Sequence, residues 1–141
     1  MSWRRLLAAV AALALSAAGV AGCGGSGSSG SGSGARPVST ARLAIVQPTP
    51  NQVTGSNVTV QLQVTGGEVV PLTQISGPLR GDQGHIHVSL DGNLVTMTDK
   101  QSTALPPLTP GSHTLQAEYV AVDHQPFRTR IIAAVIFQVA P

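Results

Sequence analysis

All four histidines of this 141-residue chain lie between residues 85 and 124. His85 and His87 are separated by one residue in a segment that alternates with aliphatic side chains, GHIHVSLDG. On a β-strand both would project from the same face, about 6.6 to 7 Å apart along the chain. Two imidazoles at this spacing can reach one zinc or copper ion, which needs at least one more nitrogen, oxygen or sulfur ligand. We predict that a metal site in this chain would involve His85 and His87 first.

Two further histidines are the candidates for a third and a fourth ligand. These are His124 and His113, with Asp123 or Met97 as substitutes. Convergence of all four imidazoles on a common point would favour a metal-binding protein, whereas scattered rings would favour a module that binds another ligand or partner. If the aliphatic residues of the first segment form the core, His85 and His87 face solvent or a loop.

Each histidine also has a structural interpretation. His113 follows a Pro-Gly turn at the same strand parity as Leu115, so it could pack inward and bond a backbone carbonyl. His124 lies in the turn-like segment DHQP, where its ring could hydrogen-bond the loop. His85 and His87 could instead pair across a sheet with polar neighbours.

Period-two patterning dominates the chain after residue 40, and no segment shows helical recurrence of apolar residues. The first predicted strand is an edge strand that ends before Pro48. Further strands are predicted where aliphatic and polar residues alternate, and the turn Asp91-Gly92-Asn93 links two of them. The predicted strands are Arg42 to Val46, Val58 to Val64, Ile86 to Leu90, Leu94 to Thr98, Leu115 to Ala121 and Ile131 to Val139, with short strands at Val69 to Leu72 and Leu79. Short strands with Gly and Pro turns between them indicate an all-β antiparallel sandwich.

The segment Leu108 to Leu115, LTPGSHTL, resembles the L-x-P-G-x-Y or L-x-P-G-x-H corner of immunoglobulin-like modules, with His113 in the aromatic place. This resemblance implies an immunoglobulin-like or fibronectin-like topology whose last strand is Ile131 to Val139. Between Asp82 and Phe127 the chain also resembles bacterial exported Ig-like domains of unknown function, which carry GHxH, PGxHTL and DH motifs. That resemblance implies fold and export, and it carries no catalytic assignment.

The N-terminus has the layout of an export signal, because Arg4 and Arg5 precede the apolar run Leu6 to Ala18. A helix over that run would be about 20 Å long, too short for a membrane span. The tetrapeptide VAGC, ending at Cys23, resembles the lipobox of bacterial lipoproteins. It implies removal of residues 1–22 and lipidation of Cys23 by diacylglycerol, with a further acyl chain such as palmitate on the new amine. The expected location is the extracytoplasmic side of the cell membrane.

A Gly/Ser tract separates this cysteine from the rest of the chain. Gly24 to Gly34 reads GGSGSSGSGSG, a composition typical of a flexible linker. We predict a lipidated linker over residues 23–40 and one sandwich domain over residues 41–141. Because no second cysteine exists, the domain uses no disulfide.

Charge and motifs exclude several classes of function. The chain has eight Lys and Arg against six Asp and Glu, and loss of Arg4 and Arg5 with the signal leaves six against six. A near-neutral mature protein argues against nucleic-acid binding, which needs clustered positive charge. The sequence has no G-x-S-x-G, no H-E-x-x-H and no phosphate loop before a helix, so we predict no enzyme activity. Few aromatic residues disfavour a glycan platform.

The sequence therefore predicts a non-catalytic, membrane-anchored Ig-like module that faces outside the cytoplasm. Its partners would be the membrane, through the lipid on Cys23, and an envelope protein, a glycan or a small ligand. The alternative is an envelope protein that binds copper or zinc through His85 and His87 with His124 or His113. No cofactor other than such a metal is predicted.

Overall fold

The computed structural model describes residues 35–141, which form an all-β domain. Within these residues no helix is long and apolar enough to cross a membrane. The signal segment, Cys23 and the Gly/Ser tract lie outside the described residues. The strands are β1 (Arg42–Gln47), β2 (Val53–Thr54), β3 (Thr59–Thr65), β4 (Glu68–Val69), β5 (Gln83–Leu90), β6 (Asn93–Thr98), β7 (Ser102–Ala104), β8 (Gly111–Ala121) and β9 (Pro126–Val139).

The strands form two sheets. The smaller sheet has the order β1-β3-β7, and the larger has the order β2-β9-β8-β5-β4, with β6 also paired to β5. Pairing is antiparallel except for the two-residue pairs β2–β9 and β4–β5, which are parallel. The long strands β8 and β9, of 11 and 14 residues, form the longest strand pair of the larger sheet.

The core lies between the sheets and is built by alternate residues. Val60 of the smaller sheet and Ile86, Val88, Leu115 and Phe137 of the larger sheet are fully buried. Burying one such side chain contributes about 1.5 to 3 kcal/mol relative to leaving it exposed. Because these residues are the apolar members of the sequence alternation, the structure confirms the predicted β-sandwich.

Tyr119 supplies one polar bond inside this core. Its ring is fully buried, and its hydroxyl donates to the carbonyl of Glu68 at 2.6 Å. Burial raises the pKa of Tyr119 to about 12, so the hydroxyl keeps its proton. The bond ties β8 to the short strand β4.

The hairpin between β5 and β6 also forms as predicted. Asp91 and Gly92 both have positive φ, 49° and 84°, which a two-residue loop between twisted strands requires. This turn fixes the register in which Leu90 faces Asn93.

Four short elements differ from the prediction. Leu79 does not lie in a strand, and the strand expected at Val69 to Leu72 is reduced to the two residues of β4. Leu79 follows Gly77-Pro78 and is partly exposed, so neither ladder bonds nor core contacts hold it in a sheet. The strands β2 and β7 were not predicted, because two and three residues are too short to show alternation.

The residues just before β1 pack on the sandwich. The amide of Arg128 donates to the carbonyl of Pro37 at 3.0 Å. At Gly81 an added Cβ would lie 2.1 Å from the carbonyl oxygen of Val38, so the two segments are in close contact. Contacts of the folded domain therefore begin within residues 36–40, a range the sequence assigned to the linker.

Candidate functional site

Strand β5 positions the first two histidines. Ile86 and Val88 point into the core, so His85 and His87 project from the opposite face of the larger sheet. Their neighbours in the register of β8 are Val120 and Glu118. His85 is nevertheless 0% exposed and His87 is half-buried. The sequence left open whether this face meets solvent or a loop. For His85 it meets a loop, which excludes solvent from the ring.

A tight hairpin loop between β8 and β9 positions the third histidine. The amide of His124 donates to the carbonyl of Ala121 at 2.9 Å, and the amide of Ala121 donates to the carbonyl of Gln125 at 3.0 Å. His124 closes this loop with a φ of 60°, in the left-handed region. Glycine or asparagine is the usual residue at such a position, because a larger side chain there carries a steric cost.

Three imidazoles meet where the loop lies beside β5. The ring of His124 stacks on that of His85 with centroids 4.6 Å apart, and on that of His87 with centroids 5.5 Å apart. The Nε2 atom of His87 lies 3.3 Å from the Nδ1 atom of His124. The structure thus brings together His85, His87 and His124, and we call these three residues the histidine cluster.

The two nitrogens of His85 are in different environments. Nε2 lies 3.0 Å from the carbonyl of Pro71. Because a carbonyl only accepts, Nε2 carries the proton, and the neutral ring then presents a lone pair at Nδ1. Nδ1 is buried and has no hydrogen-bond partner among residues 35–141. A buried acceptor in this state costs about 1 to 3 kcal/mol, which is uncommon in a folded domain.

Burial also sets the charge of the cluster. It lowers the pKa of His85 and of His87 below the usual range, and the neighbouring His124 lowers both further. Both imidazoles are therefore neutral at neutral pH, which is the form that binds metal ions.

The cluster does not form a finished coordination site as it stands. Within residues 35–141, no group of three or more His, Cys, Asp or Glu side chains is arranged to hold a metal ion. The stacking explains this, because the lone pairs of an imidazole lie in the ring plane and nearly parallel rings do not direct them at one point. A metal would require at least one ring to turn.

Arg36 fixes the loop that carries His124. Its guanidinium forms an ion pair with the carboxylate of Asp123 through both terminal nitrogens. It also donates to the carbonyl of Gln125 at 2.7 Å and, from Nε, to that of Pro126 at 2.9 Å. Both neighbours of His124 in the chain are thereby bonded to one side chain.

His113 lies outside the cluster. Its Nδ1 is 2.7 Å from the carboxylate of Asp91, and its Nε2 is 2.8 Å from the carbonyl of Thr109. Both nitrogens face acceptors, and the ring lies 5.8 Å from that of Phe137. His113 is seven residues along β8 from Val120, the partner of His85, or about 23 Å. The structural interpretation, inward packing with a bond to a carbonyl, describes this residue, and the structure does not support it as a fourth ligand.

The two substitute ligands differ in availability. The carboxylate of Asp123 is occupied by Arg36. Met97 is the register partner of His87 on β6 and is 44% exposed, so its thioether lies on the same face. Glu118, the partner of His87 on β8, pairs with Arg130.

Two features of the site were not found from the sequence. Arg36 is 87 residues away from Asp123 in the chain, and no local pattern connects them. The carbonyl of Pro71 has no side-chain signature, and it belongs to a loop whose path depends on the sheet. His124 was a candidate from the sequence, but nothing in its segment DHQP predicts the left-handed backbone that the structure shows there.

Comparison with known proteins gives the fold. No family model matches the sequence, and no curated protein matches it. Among solved structures, the chain is similar to the fibronectin(III)-like modules of CbhA from Clostridium thermocellum, with a TM-score of 0.50 and 14% identity over 70% of this chain and 94% of that one.

Two further solved structures are similar at lower scores. The PKD domain of human KIAA0319 has a TM-score of 0.45 and 18% identity, over 82% of this chain and 93% of that one. CopC from Methylosinus trichosporium OB3b has a TM-score of 0.37 and 17% identity, over 71% and 95%. The similarity to the fibronectin(III)-like modules, at 14% identity, shows the fold alone, a β-sandwich of fibronectin-like type.

Proposed function

We propose that this chain is a bacterial envelope lipoprotein whose Ig-like sandwich is a non-catalytic binding module held outside the cytoplasm by lipid on Cys23. The observation that carries the proposal is the position of the folded domain. Its contacts begin at Arg36, two residues after the Gly/Ser tract that follows the lipobox-like tetrapeptide. A Gly/Ser chain of eleven residues averages roughly 18 Å end to end, which would keep the module close to the membrane surface.

The charged side chains support a role without catalysis. Four carboxylates of the described domain are engaged in structural pairs: Asp82 with Arg80, Asp91 with His113, Glu118 with Arg130 and Asp123 with Arg36. A general acid or base needs a free proton site near a substrate pocket. Three surface grooves on the described domain are open. The groove of about 430 Å³ lies away from these pairs, and those of about 540 and 460 Å³ contain only the arginine of one pair each, Arg36 and Arg130.

The aromatic residues favour a small ligand over a glycan. The described domain contains Tyr119, Phe127 and Phe137, and all three are buried, the most exposed at 2%. A sugar-binding surface usually needs an exposed ring on which the sugar can stack. A glycan array is therefore expected to give no specific signal, and strong selective binding would contradict this step.

The anchoring step is tested in bacterial cells with labelled palmitate and membrane fractionation. Wild-type protein should incorporate the label and sediment with membranes. Cys23→Ser protein should lose the label and, once the signal is cleaved, appear in the soluble fraction. Ser26→Ala, in the adjoining tract, is the matched control and should behave as wild type. A processed Cys23→Ser protein that stays with membranes would overturn the lipid anchor.

A further inference from the structure

We propose that the ligand of this module is a late first-row transition-metal ion, zinc or copper, bound by Nδ1 of His85 together with His87 and His124. The proposal rests on the assignment of the domain as a binding module and is independent of the lipid anchor. Neutral imidazoles suit zinc and copper, whereas magnesium and calcium require oxygen ligands.

His85 is prepared as a ligand. Metal-binding histidines commonly donate the second ring N–H to a backbone carbonyl, which fixes both tautomer and orientation. The Nε2 of His85 makes this bond to Pro71 and leaves an unpartnered lone pair on Nδ1 in a fully buried ring. A structural histidine in the core would be expected to satisfy both nitrogens, as His113 does.

The spacing of the other two histidines matches a coordination sphere. Two nitrogens bound to one zinc at 2.0 to 2.1 Å in tetrahedral geometry lie about 3.3 Å apart. Nε2 of His87 and Nδ1 of His124 are 3.3 Å apart without a metal. Without a metal, one of these nitrogens carries a proton and donates it in a hydrogen bond to the other. On metal binding that ring would move its proton to its second nitrogen, so both lone pairs become available and no net proton is lost.

His124 is the ring able to move. His124 is only half-buried and lies in a loop. His85 is fully buried, and His85 and His87 both lie in strand β5. Its left-handed backbone conformation has a steric cost that glycine would avoid. Strained backbone of this kind concentrates at functional sites. The hairpin itself does not require an imidazole at position 124, because glycine would satisfy its backbone conformation.

Three imidazoles leave a fourth coordination position open. Met97 lies opposite His87 on the same face and would offer a thioether, a donor that favours copper. Water would complete a zinc site instead. Because affinity generally rises to a maximum at copper, we expect Cu²⁺ to bind more tightly than Zn²⁺.

Calorimetric titration of the full chain, purified in detergent, tests the proposal with Cu²⁺, Zn²⁺ and Mg²⁺. We expect one saturable site with a Kd below about 10 μM for Cu²⁺ and Zn²⁺, and none for Mg²⁺. His87→Gln and His124→Gly should each weaken binding at least 100-fold. His113→Asn is the matched control and should retain wild-type affinity, and so should Cys23→Ser, which removes the only cysteine.

Stability measurements separate loss of a ligand from loss of the fold. Because glycine is the residue that the loop geometry favours, metal-free His124→Gly should melt at or above the wild-type temperature while losing the metal site. Absence of a saturable site, equal loss in His113→Asn and His87→Gln, or wild-type affinity in His124→Gly would each overturn the proposal. These outcomes are distinct from a failure of anchoring, which is read in the membrane fraction of cells without added metal.

Discussion

The histidines at positions 113 and 85 have opposite environments, although each is close to a carbonyl. His113 has acceptors at both nitrogens, and the carbonyl of Thr109 and then the carboxylate of Asp91 raise its pKa above the usual range. His85 has one acceptor and one unpartnered nitrogen, and burial lowers its pKa. The first ring therefore holds its proton more strongly than a free imidazole, and the second is a neutral base whose Nδ1 has no partner in the described domain.

The His113–Asp91 pair predicts a pH dependence of stability. A histidine whose pKa is raised by folding contributes stability that is complete below its unfolded pKa of about 6.5 and is lost as pH rises through the folded pKa. Asp91 has a lowered pKa, chiefly from the amide of Thr114, so its contribution is lost only at acid pH. We expect the melting temperature of metal-free wild-type protein to exceed that of His113→Gln at pH 5.5 by more than at pH 9. Equal differences in melting temperature at both pH values would show that the charged form of His113 contributes nothing to stability.

At the scale of elements, the site depends on how closely β5 and β8 approach. A Cβ added at Gly84, next to His85, would lie 2.0 Å from the carbonyl oxygen of Val120. Because that oxygen belongs to backbone in the sheet, the strands would have to separate. The glycine is therefore required by the close contact and not by its backbone angles.

Gly84→Ala should accordingly destabilise the domain and displace His85. We expect a loss of about 1 to 3 kcal/mol in the free energy of unfolding, the usual range for overpacking, measured by urea denaturation. Gly55→Ala is the matched control, because a Cβ there meets nothing within 4 Å. Equal stability of the two variants would contradict the role of this contact.

The loop between β8 and β9 depends on Arg36. Arg36→Ala should leave the sandwich folded but accelerate hydrogen exchange at the amides of His124 and Gln125, because the ion pair and two carbonyl bonds are lost. Loss of such a supporting residue typically weakens metal binding 10- to 100-fold. Arg36→Lys should rescue only part of this, since an ammonium group cannot pair with a carboxylate through two nitrogens. Unchanged exchange in Arg36→Ala would contradict this positioning role.

The same elements show what the sequence could predict. Strands such as β3 and β5 follow from strict alternation, because one face must be apolar, and this alternation also placed His85 and His87 together. The approach of His124 to them depends on the register of β8 against β5 and on a loop conformation. Neither is encoded locally, so the sequence offered both His124 and His113 as candidate ligands, and the fold shows which of them lies beside His85 and His87.

At the scale of the whole molecule, one core must stabilise a domain without disulfides. Phe137 is fully buried between the sheets and reaches His113. We expect Phe137→Ala to cost about 3 to 5 kcal/mol in the free energy of unfolding, as large-to-small core substitutions do. Ile136→Ala, on the exposed side of the same strand, should change it by less than about 1 kcal/mol. Similar losses in both variants would contradict the assignment of the two faces.

The proposed organisation separates location from binding. Lipid on Cys23 would set where the module acts, and the histidine cluster would set what it binds. The two are connected by a Gly/Ser tract that contains no ligating side chain. Removal of the lipid should therefore leave metal affinity unchanged.

The most direct test of a metal as the ligand is a titration of the protein with Zn²⁺ followed by the imidazole C–H resonances in NMR. We predict that the resonances of His85, His87 and His124 shift together and saturate at one equivalent, while that of His113 stays in place. Shifts of His113 equal to the others, or no change in the three up to one equivalent, would contradict the account.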